Sequence, residues 1–561
     1  MNSKIRKILA VIFFTLITLL FLDFTGSIHA WFGWMAKIQF LPAVLALNVI
    51  VVLALVLLTL LMGRIYCSVI CPLGVLQDIF GWLGKKAKKN RYTYSKPLNK
   101  LRYVMLGVLV VALVAGVTSL SALIAPYSAY GRIASNLFVP VYQWGNNLLA
   151  TWAESVNSYA FYHVDVWLKG GITLMVAVVT IVTLFVLAFK NGRTYCNTIC
   201  PVGTVLGFLS RFPYLKPVID TSKCNGCGLC ARNCKASCID SKNHSIDYSR
   251  CVVCLDCIDK CKRGAIHYVP RNKKGPSIPA SGEQPNNSRR AFITATAVMA
   301  GASITKAQQM KMDGGFATIE DKKIPNRETP LSPPGSLSIR NMTQHCTACQ
   351  LCVSVCPNQV LRPSNHLSTF MQPEVSYERG YCRPECTRCS EVCPAGAIKP
   401  ITKEEKSAIQ IGHAVWIPEN CIQCNKCSFV CPHGVIRPYL LDKSDEKAKG
   451  VDSIFPKDYK YAIGVSVRDC TGCGLCSKVC PGKLGKSAIV MEEYDRDKYK
   501  QEEFNYLLEH NLNDSYKAKI KNVKNIGFEA PRFEFSGSCA GCGETAYLKL
   551  LTQLFGDKLV I

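Results

Sequence analysis

Acidic residues are scarce in this sequence of 561 residues: 39 Asp and Glu stand against 66 Lys and Arg, a formal net charge of +27. A basic excess of this size often marks a nucleic-acid partner. The chain, however, lacks stretches in which aromatic and basic residues interleave, and it has no nucleic-acid-binding motif. Much of the positive charge lies beside long apolar segments instead. We therefore expect lipid headgroups and acidic redox partners, and no nucleic acid.

A signal-peptide cleavage site is also lacking. The first apolar run, Ile8–Phe24, is followed by no convincing small-residue site, and a second run begins soon after it. A cleaved signal peptide is therefore not expected. Three further runs are long enough, or nearly so, to cross a bilayer: Phe40–Met62, Val104–Ala125 and Gly171–Phe189. The sequence predicts an α-helical membrane domain with four transmembrane helices over residues 1–210.

The distribution of basic residues predicts how this domain is oriented. The loop 63–103 carries nine Lys or Arg, whereas the loop 25–39 carries one and the loop 126–170 carries two. Short cytoplasmic loops of membrane proteins are enriched in basic residues. We therefore expect a multi-pass protein with both ends of the four-helix unit in the cytoplasm and the loop 126–170 outside.

Cysteine is abundant, with 31 residues that fall almost entirely into clustered motifs. The clearest stretch, 346–393, contains two runs of four cysteines, each followed by proline, and variants of it occupy 224–261 and 421–480. Three cysteines at this spacing wrap one face of a [4Fe–4S] cluster, and the fourth reaches the cluster of the partner motif. A disulfide framework or zinc ribbons are the alternatives. Zinc sites usually have two separated cysteine pairs, so the pattern favours iron–sulfur clusters.

Six clusters are predicted, in three α+β bacterial-type 2[4Fe–4S] ferredoxin domains at 215–270, 336–416 and 417–495. Lys235 and Lys262 replace the usual proline in the first domain, which weakens the turn without removing a ligand. Cys238 is left over, and we expect it to pack rather than to bind metal. Exchange of the fourth cysteine predicts these ligand sets for the first and third domains: Cys224, Cys227, Cys230 and Cys261; Cys251, Cys254, Cys257 and Cys234; Cys421, Cys424, Cys427 and Cys480; Cys470, Cys473, Cys476 and Cys431.

Two shorter cysteine motifs lie just after the second and fourth apolar runs. Both read Gly-Arg-x-x-Cys-x3-Cys-Pro-x-Gly, beginning at Gly63 and at Gly192. Two near-copies at equivalent helix ends indicate an internal repeat of a helix pair. Their thiols could meet at the cytoplasmic face and hold a seventh cluster; the alternative is a pair of structural turns whose cysteines are merely buried. The four residues concerned are Cys67, Cys71, Cys196 and Cys200.

Residues 1–270, with these repeated motifs, resemble the NapH-like and NosR-like membrane polyferredoxins. The resemblance implies a quinol-linked electron-transfer protein of the inner (cytoplasmic) membrane. Its partners would be the quinone/quinol pool and a soluble redox protein: a ferredoxin, a reductase or a cytochrome.

Residues 271–335 are predicted to be a linker that contains a twin-arginine-like segment. Ser288-Arg289-Arg290-Ala291-Phe292-Ile293 precedes a mildly apolar run to Ile304, which fits either an export signal or an ordinary amphipathic helix. Export would leave the residues after 306 in the periplasm. Residues 288–416 resemble the NapG-like twin-arginine ferredoxins. On the matching positions, Cys346, Cys349, Cys352 and Cys393 would hold one cluster, and Cys382, Cys386, Cys389 and Cys356 the other, although the extra residue after Cys382 departs from the usual spacing.

From Ile417 onward the chain resembles pyruvate:ferredoxin oxidoreductase. The runs 417–433 and 469–481 are similar to its ferredoxin domain, and 533–545 resembles the start of its thiamine-diphosphate domain. Cys539 and Cys542 would be two of four ligands to a further cluster there. The other two ligands and the Gly-Asp-Gly signature do not follow, so residues 496–561 are interpreted as a truncated start of that domain. Neither thiamine diphosphate nor pyruvate:ferredoxin oxidoreductase activity is expected.

The chain therefore resembles two different proteins joined near residue 417. A gene fusion, an assembly artefact and a truncated product are the three alternative explanations. The leading hypothesis is a membrane-bound polyferredoxin that relays electrons between the quinone pool and a soluble redox partner, with no residue for bond-making chemistry. One alternative is a fragment or component of pyruvate:ferredoxin (flavodoxin) oxidoreductase. Another is a cluster-bearing regulatory or maturation protein for a membrane-linked reductase. The terminal acceptor, the direction of electron flow and the cluster potentials are open.

Overall fold

The structure is a computed structural model of the chain. It describes residues 3–23, 26–87, 92–116, 122–158, 160–164, 166, 168–270, 330–377, 381–383, 385–407, 409, 411–447, 449–454, 457–493, 501–510, 543–555 and 558–559. The twin-arginine-like segment, Cys539 and Cys542 lie outside these residues. The chain divides into two compact units, one containing residues 1–320, 329–376 and 383–406, the other containing 321–328, 377–382 and 407–561.

The first unit begins with a bundle of helices whose apolar composition follows the predicted membrane runs. Short helices and turns interrupt it, because Gly63 and Gly192 end their helices with positive φ angles. The helices are α1 (Ser3–Leu22), α2 (Ser27–Phe32), α3 (Trp34–Lys37), α4 (Phe40–Leu45), α5 (Val49–Met62), α6 (Ile65–Val69), α7 (Pro72–Lys86), α8 (Asn99–Val114), α9 (Pro126–Ile133), α10 (Val139–Ser155), α11 (Gly171–Asn191), α12 (Thr194–Thr198) and α13 (Pro201–Leu209), with a π-helical turn at Ala134–Phe138.

Among the described residues, two helices are long and apolar enough to cross a membrane by length and composition, α1 and α11. The second predicted run is divided: α4 and α5 are separated at residues 46–48, where Leu47 has a φ of 53°. The remaining apolar part, α5, is shorter than the other two. The four-span arrangement therefore stays a prediction for α5 and α8.

The predicted outer loop 126–170 contains helices that its sequence did not suggest. All eight residues of α9 are buried, and α9 continues through the π-helical turn into α10. Trp144 and Trp152 on α10 are 64% and 66% exposed. Tryptophan is enriched at the level of lipid headgroups, which suits an apolar helix surface of this kind.

The first ferredoxin module, residues 215–270, is closed by its first and last strands. β1 (Leu215–Ile219) pairs antiparallel with β4 (Ile266–Pro270), and between them lie the hairpin β2 (Ile239–Asp240) and β3 (Ser245–Ile246). The helices α14 (Leu229–Arg232) and α15 (Asp256–Lys260) each contain the third cysteine of one motif.

The second module begins earlier than its predicted boundary at residue 336. Leu331 O accepts a hydrogen bond from Val375 N, and Gly335 O accepts one from Lys399 N, at 2.8 Å each. Residues 331–335, predicted to be linker, therefore belong to this module. Its elements are α16 (Ile339–His345), α17 (Leu351–Ser354), β5 (Leu361–Pro363), β6 (Pro373–Val375), α18 (Arg388–Glu391) and α19 (Lys403–Ser407).

The third module lies in the second unit and also begins before its predicted start at residue 417. β7 (His413–Trp416) pairs antiparallel with β11 (Ile489–Glu492), as the first and last strands do in the first module. Between them lie a 3-10 turn (Pro418–Asn420), α20 (Lys426–Val430), the sheet β8 (Ile436–Asp442), β9 (Val451–Asp452) and β10 (Tyr459–Val465) in the order β8-β10-β9, and α21 (Leu475–Val479).

Part of the predicted truncated domain belongs to this third module. The helix α22 (Glu502–Glu509) buries Leu507 and packs it with Phe504 against Tyr439, Leu441 and Ala462 of the sheet. A second helix, α23 (Gly543–Phe555), follows the residues where Cys539 and Cys542 lie.

The first and second modules contact opposite ends of α1. Near its start, the ammonium of Lys7 lies 3.2 Å from Asp256 in the first module. Near its end, Phe21 packs beside Gly131, whose α-carbon faces the carbonyl of Cys349 in the second module. With a rise of 1.5 Å per residue, the two contact points are about 20 Å apart along the helix axis.

The helix α11 repeats this arrangement in the opposite direction. Just after its end, Gly192 lies against the backbone of Lys235 in the first module. Just before its start, the ammonium of Lys169 donates to the carbonyl of Val353 in the second module, at 3.1 Å. The two modules therefore bracket the helix bundle along its long direction.

Candidate iron–sulfur sites

The two short cysteine motifs bring their four thiols together at one end of the bundle. Cys67, Cys71, Cys196 and Cys200 are all buried. Burial raises the pKa of Cys200 well above its usual value, and the neighbouring thiols of Cys196, Cys67 and Cys71 raise it further. Four buried thiolates so close together require a cation to offset their charge. A [4Fe–4S] cluster supplies such charge, so the donor set fits the cofactor.

An internal pseudo-symmetry explains the arginine and the final glycine of these motifs. Each arginine crosses to the other copy: Arg64 donates to the carbonyl of Cys196 at 3.1 Å, and Arg193 donates to the carbonyl of Cys67 at 2.6 Å. A side chain at Gly74 would overlap Arg193, and one at Gly203 would overlap Arg64. The final glycine of each motif therefore makes room for the arginine of the other.

A buried network of ions surrounds this site. Asp78 on α7 accepts from Arg193 at 2.7 Å and pairs with Lys235 of the first module at 2.9 Å and with Arg6 of α1 at 3.5 Å. Burial alone would raise the pKa of Asp78, but Arg193 and Lys235 lower it overall, well below its usual value. Asp78 therefore stays ionised and ties the motifs, α1 and the first module together.

The first module contains a cavity lined by the four cysteines that are predicted to hold its second cluster. They are Cys234, Cys251, Cys254 and Cys257, and Cys238 also lines the cavity. The sulfur of Cys238 lies 3.5 Å from that of Cys234. Cys238 is thus beside the second predicted cluster of this module. In the other set, Cys230 lies near Cys224 and Cys227. Burial is the main cause of its raised pKa, and these two neighbours raise the pKa further.

In the second module, Cys393 lies beside the three cysteines of the partner motif. After burial, the pKa of Cys352 is raised by Cys349, Cys346 and Cys393. The other set is described less completely, because Cys382 belongs to the second compact unit while Cys356, Cys386 and Cys389 belong to the first. This set stays a prediction.

In the third module, a cavity is lined by Cys431, Cys470, Cys473 and Cys476, again one of the sets obtained by exchanging the fourth ligand. For the other set, burial raises the pKa of Cys427 to about 12, and Cys421, Cys480 and Cys424 contribute. Both sets mix the cysteines of two motifs, as in the first module.

The backbone between the cysteines takes an unusual shape that sequence reasoning missed. In five of the six long motifs, the second and fourth residues after the first cysteine adopt left-handed φ angles. Several are not glycine, although this conformation costs roughly 1–2 kcal/mol for other residues. Such turns aim backbone N–H groups at the sulfurs. The residues are Gly226, Gly228, Val253, Leu255, Ala348, Gln350, Gln423, Asn425, Gly472 and Gly474.

Several of these N–H groups lie within hydrogen-bond distance of ligand sulfurs. Ala348 donates to Cys346 at 3.3 Å, and Gln423 donates to Cys421 at 3.4 Å. Such bonds stabilise the charged thiolate and tune cluster potential. The strained, donor-rich turns fit a larger cluster better than the zinc ribbons considered above.

Comparison with protein families gives the class of these domains. Residues 44–91 and 173–217, which contain the two short motifs, match a model described as a 4Fe-4S binding domain. Residues 345–397 and 381–436 match 4Fe-4S dicluster domains, and residues 420–483 match a 4Fe-4S double cluster binding domain. The chain therefore contains several ferredoxin-type domains that bind multiple [4Fe–4S] clusters, and it is an iron–sulfur electron-transfer protein.

Several curated relatives are pyruvate oxidoreductases. The chain is 45% identical over 170 residues to the pyruvate:ferredoxin oxidoreductase of Moorella thermoacetica, covering 28% of this chain and 14% of that protein. It is 42% identical over 162 residues to the pyruvate-flavodoxin oxidoreductase of Klebsiella pneumoniae, again 28% and 14%. It is 40% identical over 258 residues to the pyruvate-flavodoxin oxidoreductase of Trichormus variabilis, covering 43% of this chain and 19% of that protein. The homology is to the iron–sulfur region of these enzymes, of which the chain spans less than a fifth.

Proposed function

We propose that the chain is a membrane-bound polyferredoxin that relays electrons between the quinone pool and a soluble redox partner, as its resemblance to the NapH-like, NosR-like and NapG-like proteins implies. The observation that carries the proposal is the position of two ferredoxin modules at opposite ends of α1 and α11. If these helices cross the inner membrane, the first module faces the cytoplasm and the second faces the periplasm.

The length of the helices agrees with this role. α1 has 20 residues and α11 has 21, so each is about 30 Å long, which is the thickness of the hydrocarbon layer. The exposed tryptophans of α10 lie in the segment that meets the second module, where a headgroup layer is expected. A second module in the periplasm favours an export role for the twin-arginine-like segment.

One tyrosine lies beside the four-thiol site, and another lies beside the second module. Tyr195, whose pKa is raised by burial and then by the nearby thiols of Cys200 and Cys196, donates to the carbonyl of Ile124 at 2.8 Å. Two residues further along the chain α9 begins, and Tyr127 on it lies near Cys349 and Cys393 of the second module. [4Fe–4S] clusters supply one-electron transfer when bound. The protein residues hold them, exclude water from the short motifs and fix their spacing.

The sidedness of the two modules can be tested with protease sites. One site is inserted in the exposed turn at Asn243 of the first module, and another at the exposed Leu367 of the second. We expect protease added to sealed right-side-out vesicles to cut only at Leu367, and protease added to inside-out vesicles to cut only at Asn243. Cutting of both sites from the same side would contradict the proposal.

The number of clusters gives an independent test. Protein purified in detergent under argon should contain iron for at least six [4Fe–4S] clusters, which EPR should detect during a reductive titration. Far fewer reducible clusters would exclude a polyferredoxin of this kind.

The similarity of the chain to pyruvate oxidoreductases supports a second candidate. Here the third module would serve as the electron outlet of such an enzyme, completed by other chains that bind thiamine diphosphate and pyruvate. Reduction of a dye by the isolated protein that depends on pyruvate and coenzyme A would favour this candidate. No such activity, together with the expected sidedness, would favour the relay.

A further inference from the structure

We propose that Arg64 and Arg193 act as positioning residues that hold the four-thiol site together, and that Arg64 in addition raises the reduction potential of the cluster bound there. The inference rests on the proposed cluster at Cys67, Cys71 and their partners in the second motif.

Both arginines are completely buried and lie beside the thiols of their own motif. A guanidinium nitrogen of Arg64 lies 3.8 Å from the sulfur of Cys67, and one of Arg193 lies 3.9 Å from the sulfur of Cys196. The same side chains reach the carbonyls of the opposite motif. Each arginine therefore contacts both halves of the repeat and fixes how far apart the two thiol pairs lie.

The charges of the two arginines are compensated differently. Arg193 forms a short ion pair with Asp78. Arg64 instead donates to neutral oxygens, at 2.9 Å to the side chain of Asn197 and at 3.1 Å to the carbonyl of Ser249. Among the described residues, no carboxylate forms an ion pair with Arg64. The pseudo-symmetric site thus has one arginine that is paired with a carboxylate and, among the described residues, one that is not.

A cation beside a buried cluster favours its reduced form. A cluster held by four thiolates is negatively charged, and the gain of one electron, with no bond made or broken, increases that charge. The electron comes from the neighbouring ferredoxin clusters or from quinol. Because interactions between charges are stronger in a buried site than in water, Arg64 stabilises the reduced form more than the oxidised form. Asp78 has the opposite effect, which Arg193 and Lys235 moderate.

The test is a redox titration of the full-length protein in detergent, followed by EPR. The signal of this site is identified first as the one lost, with its iron, in Cys67→Ser. In Arg64→Gln we expect this signal to need at least a tenfold higher ratio of reductant to oxidant for half-reduction, about 59 mV for one electron. Arg64→Lys keeps the charge and should restore most of the difference. Asp78→Asn should shift the potential in the opposite direction.

Each outcome is decisive. An unchanged potential in Arg64→Gln, or a shift of the same sign in Arg64→Gln and Asp78→Asn, would overturn the role of Arg64. If Arg64→Gln fails to assemble the site, Arg64→Lys and Asp78→Asn still decide, since an unshifted potential in Asp78→Asn contradicts the electrostatic argument. If Cys67→Ser loses neither iron nor signal, the proposed cluster itself is wrong, a result distinct from an unshifted potential.

Discussion

Cys238 occupies the position that a small apolar residue takes in four of the five other long motifs, four residues after the fourth cysteine. These residues are Ala265, Val360, Ala397 and Val435, and all four side chains are buried. The local turn therefore explains why Cys238 is buried without making it a ligand. Its sulfur nevertheless lies close enough to Cys234 to be mistaken for one.

Substitution separates these two roles. Cys238→Ala should keep the full iron content, because it restores the residue found at the equivalent positions. Cys234→Ser should lose about four iron atoms, one cluster. Iron analysis of both purified variants checks this. A loss of iron in Cys238→Ala equal to that in Cys234→Ser would identify Cys238 as a ligand.

Asp78 gives the fold a dependence on pH. Its pKa in the folded protein lies well below its usual value because of Arg193 and Lys235. Its stabilising effect is therefore complete above the unfolded pKa of about 4 and is lost as the pH falls toward the folded pKa. At pH 7, Asp78→Asn should lower stability by about 3 kcal/mol, since it leaves buried cations without a partner.

Thermal unfolding in detergent between pH 3 and pH 7 measures this effect. The difference between the wild type and Asp78→Asn should shrink as the pH falls below about 4. Gly107→Ala, which adds a methyl group in open space and touches no titratable side chain, serves as a control and should leave the pH profile unchanged. A difference that stays constant with pH would show that Asp78 acts only through packing.

At the scale of elements, the turns of the repeated motifs depend on the glycines at their ends. A Cβ at Gly74 or Gly203 would overlap a backbone carbonyl of its own motif as well as the arginine from the other. Backbone atoms cannot move aside as a flexible side chain can. The repeat is therefore a single interlocked element, not two separate turns.

Alanine at either glycine should disrupt the site. We expect Gly74→Ala and Gly203→Ala each to lose the iron of the four-thiol site and to lower stability by about 2 kcal/mol or more. Gly107→Ala, where no atom lies within 4 Å of the added Cβ, is the matched control and should keep the iron. Equal iron content in all three variants would contradict the interlocked arrangement.

At the scale of the whole molecule, α9 is where the second module meets the helix bundle. Gly131 lies against the carbonyl of Cys349, and Asn136 in the π-helical turn donates to the side chain of Gln350 at 2.8 Å. This close approach of backbones requires glycine. Gly131→Ala should therefore loosen the second module while leaving the first in place.

Hydrogen exchange distinguishes the two modules. Amides of α16 and α17 should exchange faster in Gly131→Ala than in the wild type, whereas those of β1 and β4 should be unchanged. Gly145→Ala, at a position with no atom within 4 Å of the added Cβ, should leave both regions as they are. Faster exchange in both modules would indicate general destabilisation instead.

The cysteine spacing by itself determined the class of this protein and predicted its ligand sets, because a [4Fe–4S] cluster constrains residues that are close along the chain. The apolar runs located the helices, although the break between α4 and α5 and the helices of 126–170 escaped notice, since buried polar contacts and packing decide them. Sequence similarity put the start of the third module at residue 417, whereas the pairing of β7 with β11 puts it at His413 or earlier.

Only the tertiary structure decided how these parts relate. The crossed arginines come from residues about 130 positions apart, with 132 between Arg64 and Cys196. Contacts such as those of Lys7 with Asp256 and of Gly131 with Cys349 place the first and second modules at opposite ends of the bundle. No local pattern encodes contacts over such distances, because they arise from the packing of whole helices and modules against one another.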